Sequence, residues 1–229
     1  MTDMSRDAFR DTSGRTLEDY PRPSVAVDTA VLTLDPEHGL AVLEVRRGSE
    51  SGWALPGTFL HEGETLTEAV DRSLRDKANV RGLCPRQLHV FDDPKRDDRG
   101  WVLSVAHVDV VQASRLDSRF PETTRIVPVS RAGRLAFDHD EIIVRAVEHV
   151  RSRYADKPDP DGLLDEEFTL RQLRIAHEAV LGYPLQRDTF RRAMESHLVP
   201  TGSTTVGTRG RPAELFRRRE TEPKRRRES

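Results

Sequence analysis

Residues 57–80 read GTFLHEGETLTEAVDRSLRDKANV, a glycine-led loop that runs into an amphipathic helix. The loop closes on Thr65-Leu66-Thr67-Glu68, a capping box: the threonine hydroxyl and the glutamate three residues on each accept a backbone N–H that the first helical turn leaves unpaired. Leu66, Ala69, Val70 and Leu74 then recur at helical spacing as far as Ala78. Asn79, which tolerates positive φ, is a fitting C-terminal cap.

Upstream of that stretch, Val25, Val27 and Val31 to Leu34 predict a strand, and Leu40 to Val45 a second. The breakers Asp35-Pro36-Glu37-His38-Gly39 between them make a hairpin. Trp53 to Gly57 leads into Thr58 to Glu64, read as a loop. Downstream, Leu88 to Phe91, Trp101 to Val111 and Ile126 to Val129 carry strand composition, with a charged loop at Asp92 to Gly100. Ile142, Ile143, Ala146, Val147 and Val150 predict a second helix facing a core. Strands bracket a helix and a further helix follows, so the expected class is α/β.

The chain has 229 residues, 35% apolar and 33% charged, with one cysteine, Cys84. That length suits one medium domain and one small one. No run approaches the ~18 apolar residues of a membrane span, and a single cysteine excludes a disulfide framework or a cysteine-rich zinc site. The first residues lack the apolar core of a signal peptide, so a cytoplasmic location is expected. The net charge of -2 hides an asymmetry: residues 168–229 carry 14 Lys and Arg against 7 Asp and Glu, while the rest is acidic. A basic block points to phosphate, although the run Lys224 to Arg227 could be only a solvated tail. The expected organisation is a disordered arm at 1–23, a first domain at 24–154, an acidic linker at 155–167, a second domain at 168–219 and a basic tail at 220–229.

In the second domain Thr169-Leu170-Arg171-Gln172 is another capping box. It opens a helix with Leu170, Leu173, Ala176, Val180 and Leu181 inward and Gly182 at its end. Tyr183-Pro184-Leu185 turns the chain into a further helix, with Phe190, Ala193, Met194 and His197 expected inward and Arg187, Thr189, Arg191 and Arg192 outward. Thr204 to Val206 and Leu215-Phe216 suit a two-stranded ribbon whose tip, Gly207 to Pro212, carries Arg209 and Arg211, with Arg217 and Arg218 behind it. This is the pattern of a winged helix-turn-helix, whose second helix presents side chains to base edges. A helical interaction module with solvated arginines is the competing reading.

Residues 57–80 resemble the Nudix signature: Gly, five residues, Glu, seven residues, then Arg-Glu-aliphatic-x-Glu-Glu-x-Gly-aliphatic. Glu64, Arg72, Leu74 and Val80 fall in frame; Thr58 and Asn79 stand where the family has glycine. In a working Nudix hydrolase the helix projects acids at i, i+3 and i+4 to bind Mg²⁺ against a substrate diphosphate. Here those places hold Ser73, Asp76 and Lys77. Exchanging an acid for a lysine beside a divalent ion opposes the metal by several kcal/mol, since unit charges ~4 Å apart at an effective dielectric of 20 interact by about 4 kcal/mol. The resemblance therefore implies a Nudix-like α/β/α sandwich with a mixed sheet that has lost hydrolysis, with no catalytic residue, metal or cofactor. The rival reading is an active nucleoside-diphosphate hydrolase with an accessory nucleic-acid-binding arm.

The loop 96–100, the stretch 135–140 and the ending Gly210 to Arg217 narrow the resemblance to the Nudix-related transcriptional regulators of the NrtR family. Members join a Nudix-like domain to a winged helix, regulate NAD-metabolism or sugar genes, and several respond to ADP-ribose. What this implies is a homodimeric repressor with operator DNA and a nucleotide such as ADP-ribose as partners, and no membrane. A diphosphate would suit Arg46, Arg47, Arg96 and Arg99, with Trp53 or Phe91 stacking on a base. Strand alternation lets at most one of Arg46 and Arg47 face a pocket, and Arg96 and Arg99 could instead pair with Asp97 and Asp98. His107 is expected in the core and His139 at a helix start.

Overall fold

A computed structural model describes residues 10–35, 37–48, 52–205 and 212–219. Arg209, Arg211 and the basic tail lie outside these residues. Within 10–23 the only regular element is a 3-10 turn at Leu17–Asp19 that buries no side chain.

The expected hairpin is β1 (Ser24–Asp35) and β2 (Gly39–Arg46), paired from Leu32 opposite Val42 to Asp35 opposite Gly39. After them come β3 (Trp53–Ala54), β4 (Gly57–Phe59), α1 (Leu66–Ala78), β5 (Arg86–Phe91), β6 (Val102–Val110), β7 (Thr124–Pro128) and α2 (His139–Tyr154). The sheet runs β3-β2-β1-β6-β5, with β4 joined to β1 and β7 to β2. β1 and β6 are parallel and the remaining pairs antiparallel, so the sheet is mixed.

Both faces of this sheet are covered, which is why β1 reads as a nearly continuous apolar run. The strand period of two sorts its side chains. Val27, Val31, Leu43 and Val45 pack with Ala69, Val70, Leu74 and Ala78 of α1. Ala30, Leu32, Leu40 and Val42 pack with Ile142, Ala146 and Val150 of α2 on the opposite face. The α1 cap forms as the sequence predicts: Thr65 Oγ1 accepts from Glu68 N–H, and Asn79 takes the left-handed conformation at φ 53°.

The residues from 168 on form β8 (Phe168–Thr169), α3 (Leu170–Leu181), α4 (Arg187–Glu195), β9 (Leu198–Thr204) and β10 (Glu214–Arg218). β10 lies between β8 and β9, so the ribbon is three-stranded rather than two-stranded. Its core is Phe168, Leu173, Phe190, Met194, Leu198 and Phe216. The Thr169–Gln172 box and the left-handed Gly182 cap, φ 83°, bound α3 as expected. α4 ends at Glu195, which leaves His197 exposed, and Ala193 also faces solvent, so the inward face of this helix is narrower than its spacing suggests.

The two halves share a core. Val180 of α3 belongs to the cluster over the first sheet, and Gly39 at the hairpin turn passes so close to α3 that a Cβ there would sit 3.0 Å from the Ala179 carbonyl. Residues 155–167 form a tied junction centred on Asp159, whose side chain is fully buried. Its carboxylate accepts from Tyr154 Oη (3.0 Å), from Leu163 and Leu164 N–H (2.8 Å each) and from Arg218. Its own N–H donates to His177 Nε2 of α3 (3.2 Å).

Candidate functional site

A cavity of about 660 Å³ opens between β4, the C-terminal half of α1, the 96–100 loop and the entry to α2. Asp28 of β1 is at its floor, an acid placed inside the apolar run by the alternation of the strand. Asp28 accepts from Ser104 Oγ (2.5 Å) and faces His139 Nε2 (3.3 Å) and Arg96 Nη2 (3.6 Å). Burial pushes its pKa up, but His139, Ser104 and Arg96 outweigh that and hold it below the usual carboxylate range. His139 Nδ1 accepts the Leu55 N–H at 2.9 Å, which fixes its tautomer and leaves Nε2–H to donate to Asp28. The ring bridges two elements rather than capping α2. Ser104 and His139 both donate to Asp28 rather than to each other, so the trio lacks the serine–imidazole bond of a Ser-His-Asp relay.

The Arg96 side chain is 3% exposed, and its guanidinium grips Asp138 through Nε and Nη2 (2.8 and 2.5 Å). That grip explains why Asp138, the residue before α2, makes no capping bond with its side chain. Arg99 pairs with Asp97 (2.9 and 2.7 Å), as the sequence allowed, whereas Arg96 does not pair with Asp97 or Asp98. Gly57 is required by close approach: a Cβ there would meet Asp28 Oδ1 at 1.9 Å.

Arg46, Arg47, Arg96 and Arg99 all line the cavity. Both Arg46 and Arg47 do so because β2 ends at Arg46, so strict alternation does not carry through Arg47. Trp53 and Phe91 are not among the lining residues. Phe91 is buried in the core with His89 edge-on at 5.2 Å, and Trp53 packs against the same core beneath the Arg125 guanidinium, 4.2 Å from the ring centre. The aromatic rings in the wall are Phe59 and Phe137. Arg99 lies over both, at 5.3 and 4.8 Å, and Arg47 lies over Phe137 at 5.1 Å. Phe137 is held at φ 59°, an uncommon conformation for a bulky residue and one that clusters at binding sites. Both rings fall inside stretches that the resemblance rests on, 57–80 and 135–140, but at positions to which the sequence reading gave no role. The acid within the apolar run of β1 was the available signal for Asp28.

The side chains at the signature positions have the following partners. Glu64 is taken by Arg72 through two bonds (2.7 and 2.8 Å), and Arg72 also reaches Thr58 Oγ1 and the Phe59 carbonyl. The arginine and the His61 N–H hold the Glu64 pKa at about 2. Ser73 is buried and its hydroxyl has no hydrogen-bond partner. Asp76 pairs with Arg75 at 2.8 Å, and the Lys77 ammonium donates to the Gly57 carbonyl. Although the Lys77 stem is exposed, crowding by protein around its ammonium lowers its pKa; Asp28 counters this, while Arg72 and Arg99 add to it. A hydroxyl, an engaged carboxylate and a cation do not fit a divalent metal. Among the described residues no group of three His, Cys, Asp or Glu side chains could hold one. His107 is a core histidine whose Nδ1 is 2.9 Å from the Val105 carbonyl.

In the second domain Arg187, Thr189, Arg191 and Arg192 are exposed on α4, opposite buried Phe190 and Met194. Among the described residues Arg191 has a 3.5 Å ion pair with Glu195, and Arg192 donates to the Asp188 carbonyl one turn back. Arg217 and Arg218, grouped with these for their place behind the ribbon tip, are each ion-paired to the junction. Arg217 pairs with Glu167 at 2.5 Å; Arg218 binds Asp159 and the Leu164 carbonyl and stacks over Phe168 at 5.0 Å. The acidic junction captures them because β10 runs alongside β8, which follows it directly. No helix among the described residues is long and apolar enough to cross a membrane.

Residues 25–148 match the NUDIX domain and residues 162–218 the NrtR DNA-binding winged helix domain. The ADPR responsive transcriptional repressor NtrR of Acinetobacter baylyi is 30% identical over 209 residues, 87% of this chain and 83% of that protein. The crystal structure of Shewanella oneidensis NrtR complexed with a 27mer DNA aligns at 31% identity and a TM-score of 0.72, covering 85% of this chain and 93% of that one. The cocrystal structure of the NUDIX domain of Shewanella oneidensis NrtR with ADP ribose aligns at 26% identity and a TM-score of 0.51, covering 60% of this chain and 94% of that one.

Proposed function

From the premise that the chain belongs to the NrtR family, a Nudix domain joined to a winged helix, we propose that it is an ADP-ribose-responsive transcriptional repressor of NAD-metabolism genes. It acts in the cytoplasm as a homodimer on a two-fold operator. The observation that carries this reading is the contrast within one molecule: a cavity whose buried Arg96 and ring-stacked Arg47 and Arg99 suit a nucleoside diphosphate, and a helix whose Arg187, Thr189, Arg191 and Arg192 face solvent.

Arg46, Arg47, Arg96 and Arg99 are the phosphate-binding candidates, and Phe59 and Phe137 supply the faces for a base. Arg187, Thr189, Arg191 and Arg192 read the operator, two half-sites lying about one DNA turn, 34–36 Å, apart. The protein is not a hydrolase in this reading, because Ser73 and Lys77 stand at two of the three acid positions of the signature. Ligand enters the first domain and favours one arrangement of the dimer. The shared core around Val180 and the Asp159 junction pass that preference to α3. The ligand need only bind one arrangement more tightly than the other.

Electrophoretic mobility shift on DNA from upstream of the protein's own gene tests the reading. Specific retardation, reversed by ADP-ribose, is the expected result. Retardation no stronger than on random DNA at moderate salt would refute it, and Mg²⁺-dependent hydrolysis of ADP-ribose that is lost in Glu64→Gln would favour the hydrolase.

A further inference from the structure

We infer that Lys77 takes the place of the divalent cation in this cavity, so that the protein holds a nucleoside diphosphate through an ammonium group and without metal. The inference rests on reading the cavity as a nucleotide site, and goes beyond it by naming the group that meets the phosphates and by excluding a metal requirement.

Three observations converge. The signature helix α1 still sets positions 73, 76 and 77 on one side at the i, i+3, i+4 spacing, so the fold delivers whatever residue stands at 77 to the place of a cation ligand. The Lys77 ammonium donates to the Gly57 carbonyl and lines the cavity with Arg96, Arg99 and Phe59. An ammonium has three donors, and one bond to a carbonyl leaves two for phosphate oxygens. Finally, Glu64, the remaining signature acid on the loop, is closed by Arg72 and by the His61 N–H.

The physical consequence is a separation of two tasks that one metal ion ordinarily performs together. A divalent ion bridges the diphosphate and also acidifies a bound water into a nucleophile. An ammonium supplies positive charge and hydrogen bonds to the phosphates, as a compact point charge. It has no coordination position for water. Binding is thereby kept and hydrolysis removed by the same substitution, and a bound diphosphate adds negative charge that favours the protonated amine.

Calorimetric titration of the full chain with ADP, ADP-ribose and adenosine, in EDTA and in millimolar Mg²⁺, tests this. Wild-type affinity for ADP should differ by less than about twofold between the two buffers. Lys77→Met, which keeps the stem at the exposed rim, should lose about tenfold for ADP in EDTA, the worth of a charge-assisted bond. Its affinity for adenosine should be unchanged. Lys77→Glu should bind ADP weakly in EDTA and recover with Mg²⁺, because it restores an acid.

A wild-type protein that requires Mg²⁺ to bind ADP, or a Lys77→Met variant with wild-type ADP affinity in EDTA, overturns the inference. The repressor reading would survive either result if ADP-ribose still releases DNA. Conversely, Lys77-dependent ADP binding in EDTA together with no response of DNA binding to ADP-ribose would uphold the inference and remove ADP-ribose as the signal.

Discussion

Arg96 and Arg191 carry the same guanidinium in opposite settings. The Arg96 side chain is 3% exposed and clamped between Asp138 and Asp28; that of Arg191 is 56% exposed, and its ion pair among the described residues is with Glu195, at 3.5 Å. A clamped cation has already lost its rotamer freedom and its hydration, so it meets a small anion in one geometry at little further cost. An exposed cation keeps both, and suits a long polyanion whose condensed counterions it displaces. The chain thus divides its arginines by burial into a set that defines a cavity and a set left available on a surface.

Breaking the clamp should give the largest effect. Arg96→Ala leaves Asp138 without the cation that grips it and Asp28 with Ser104 and His139 alone, and removal of one partner from a buried pair costs about 3–5 kcal/mol. Urea denaturation should register that loss, while Arg191→Ala stays within about 0.5 kcal/mol of wild type. Equal stabilities for the two variants would erase the distinction.

The next effect lies at the junction between the two arginine sets. Burial lowers the His177 pKa to about 4, against which Asp159 and a backbone bond to Tyr154 act only partly. Between about 6.5 and 4 the unfolded chain therefore binds a proton at this residue that the folded chain refuses. Stability is complete above the unfolded pKa and declines as the pH falls toward 4, by about 3 kcal/mol at 1.36 kcal/mol per unit. His177→Gln should remove this slope from denaturation midpoints measured across that window, and a slope that persists in the variant would show that another group is responsible.

The smallest effects separate arginines within the second domain. Arg191→Ala should weaken operator binding by about tenfold, and random DNA by less, if it reads a base edge. Arg217→Ala should leave both affinities within about twofold, since Glu167 already holds its guanidinium and an exposed pair of this kind contributes under about 1 kcal/mol. Fluorescence anisotropy with operator and scrambled duplexes at two salt concentrations measures both, and a larger loss for Arg217→Ala would reassign it to the DNA-facing set.

Much of the fold was legible because its signals are local. Thr65–Glu68 and Thr169–Gln172 announce helix starts within four residues each, and both caps form. The apolar periods of α1 and α2 place their buried faces correctly. The short strands β3, β4 and β8 were not legible. Two or three residues carry no period, and each becomes a strand only because a longer neighbour offers its edge. The cavity was half legible for the same reason. Arg96 and Arg99 stood out by type in the 96–100 loop, whereas Phe59 comes from β4 and Phe137 and His139 from the entry to α2, and only the packed sheet brings these to one wall.

By itself, then, the sequence determined the class of the fold and the starts of its helices, because each is written in neighbouring residues and needs no third partner. Tertiary structure alone decided which arginines remain available. Arg217 and Arg191 are alike in sequence terms, yet Arg217 is held at 2.5 Å by Glu167 of the acidic junction while Arg191 has a looser 3.5 Å contact with Glu195 on an open helix face, and how closely the folded chain brings an opposite charge sets how firmly each is held.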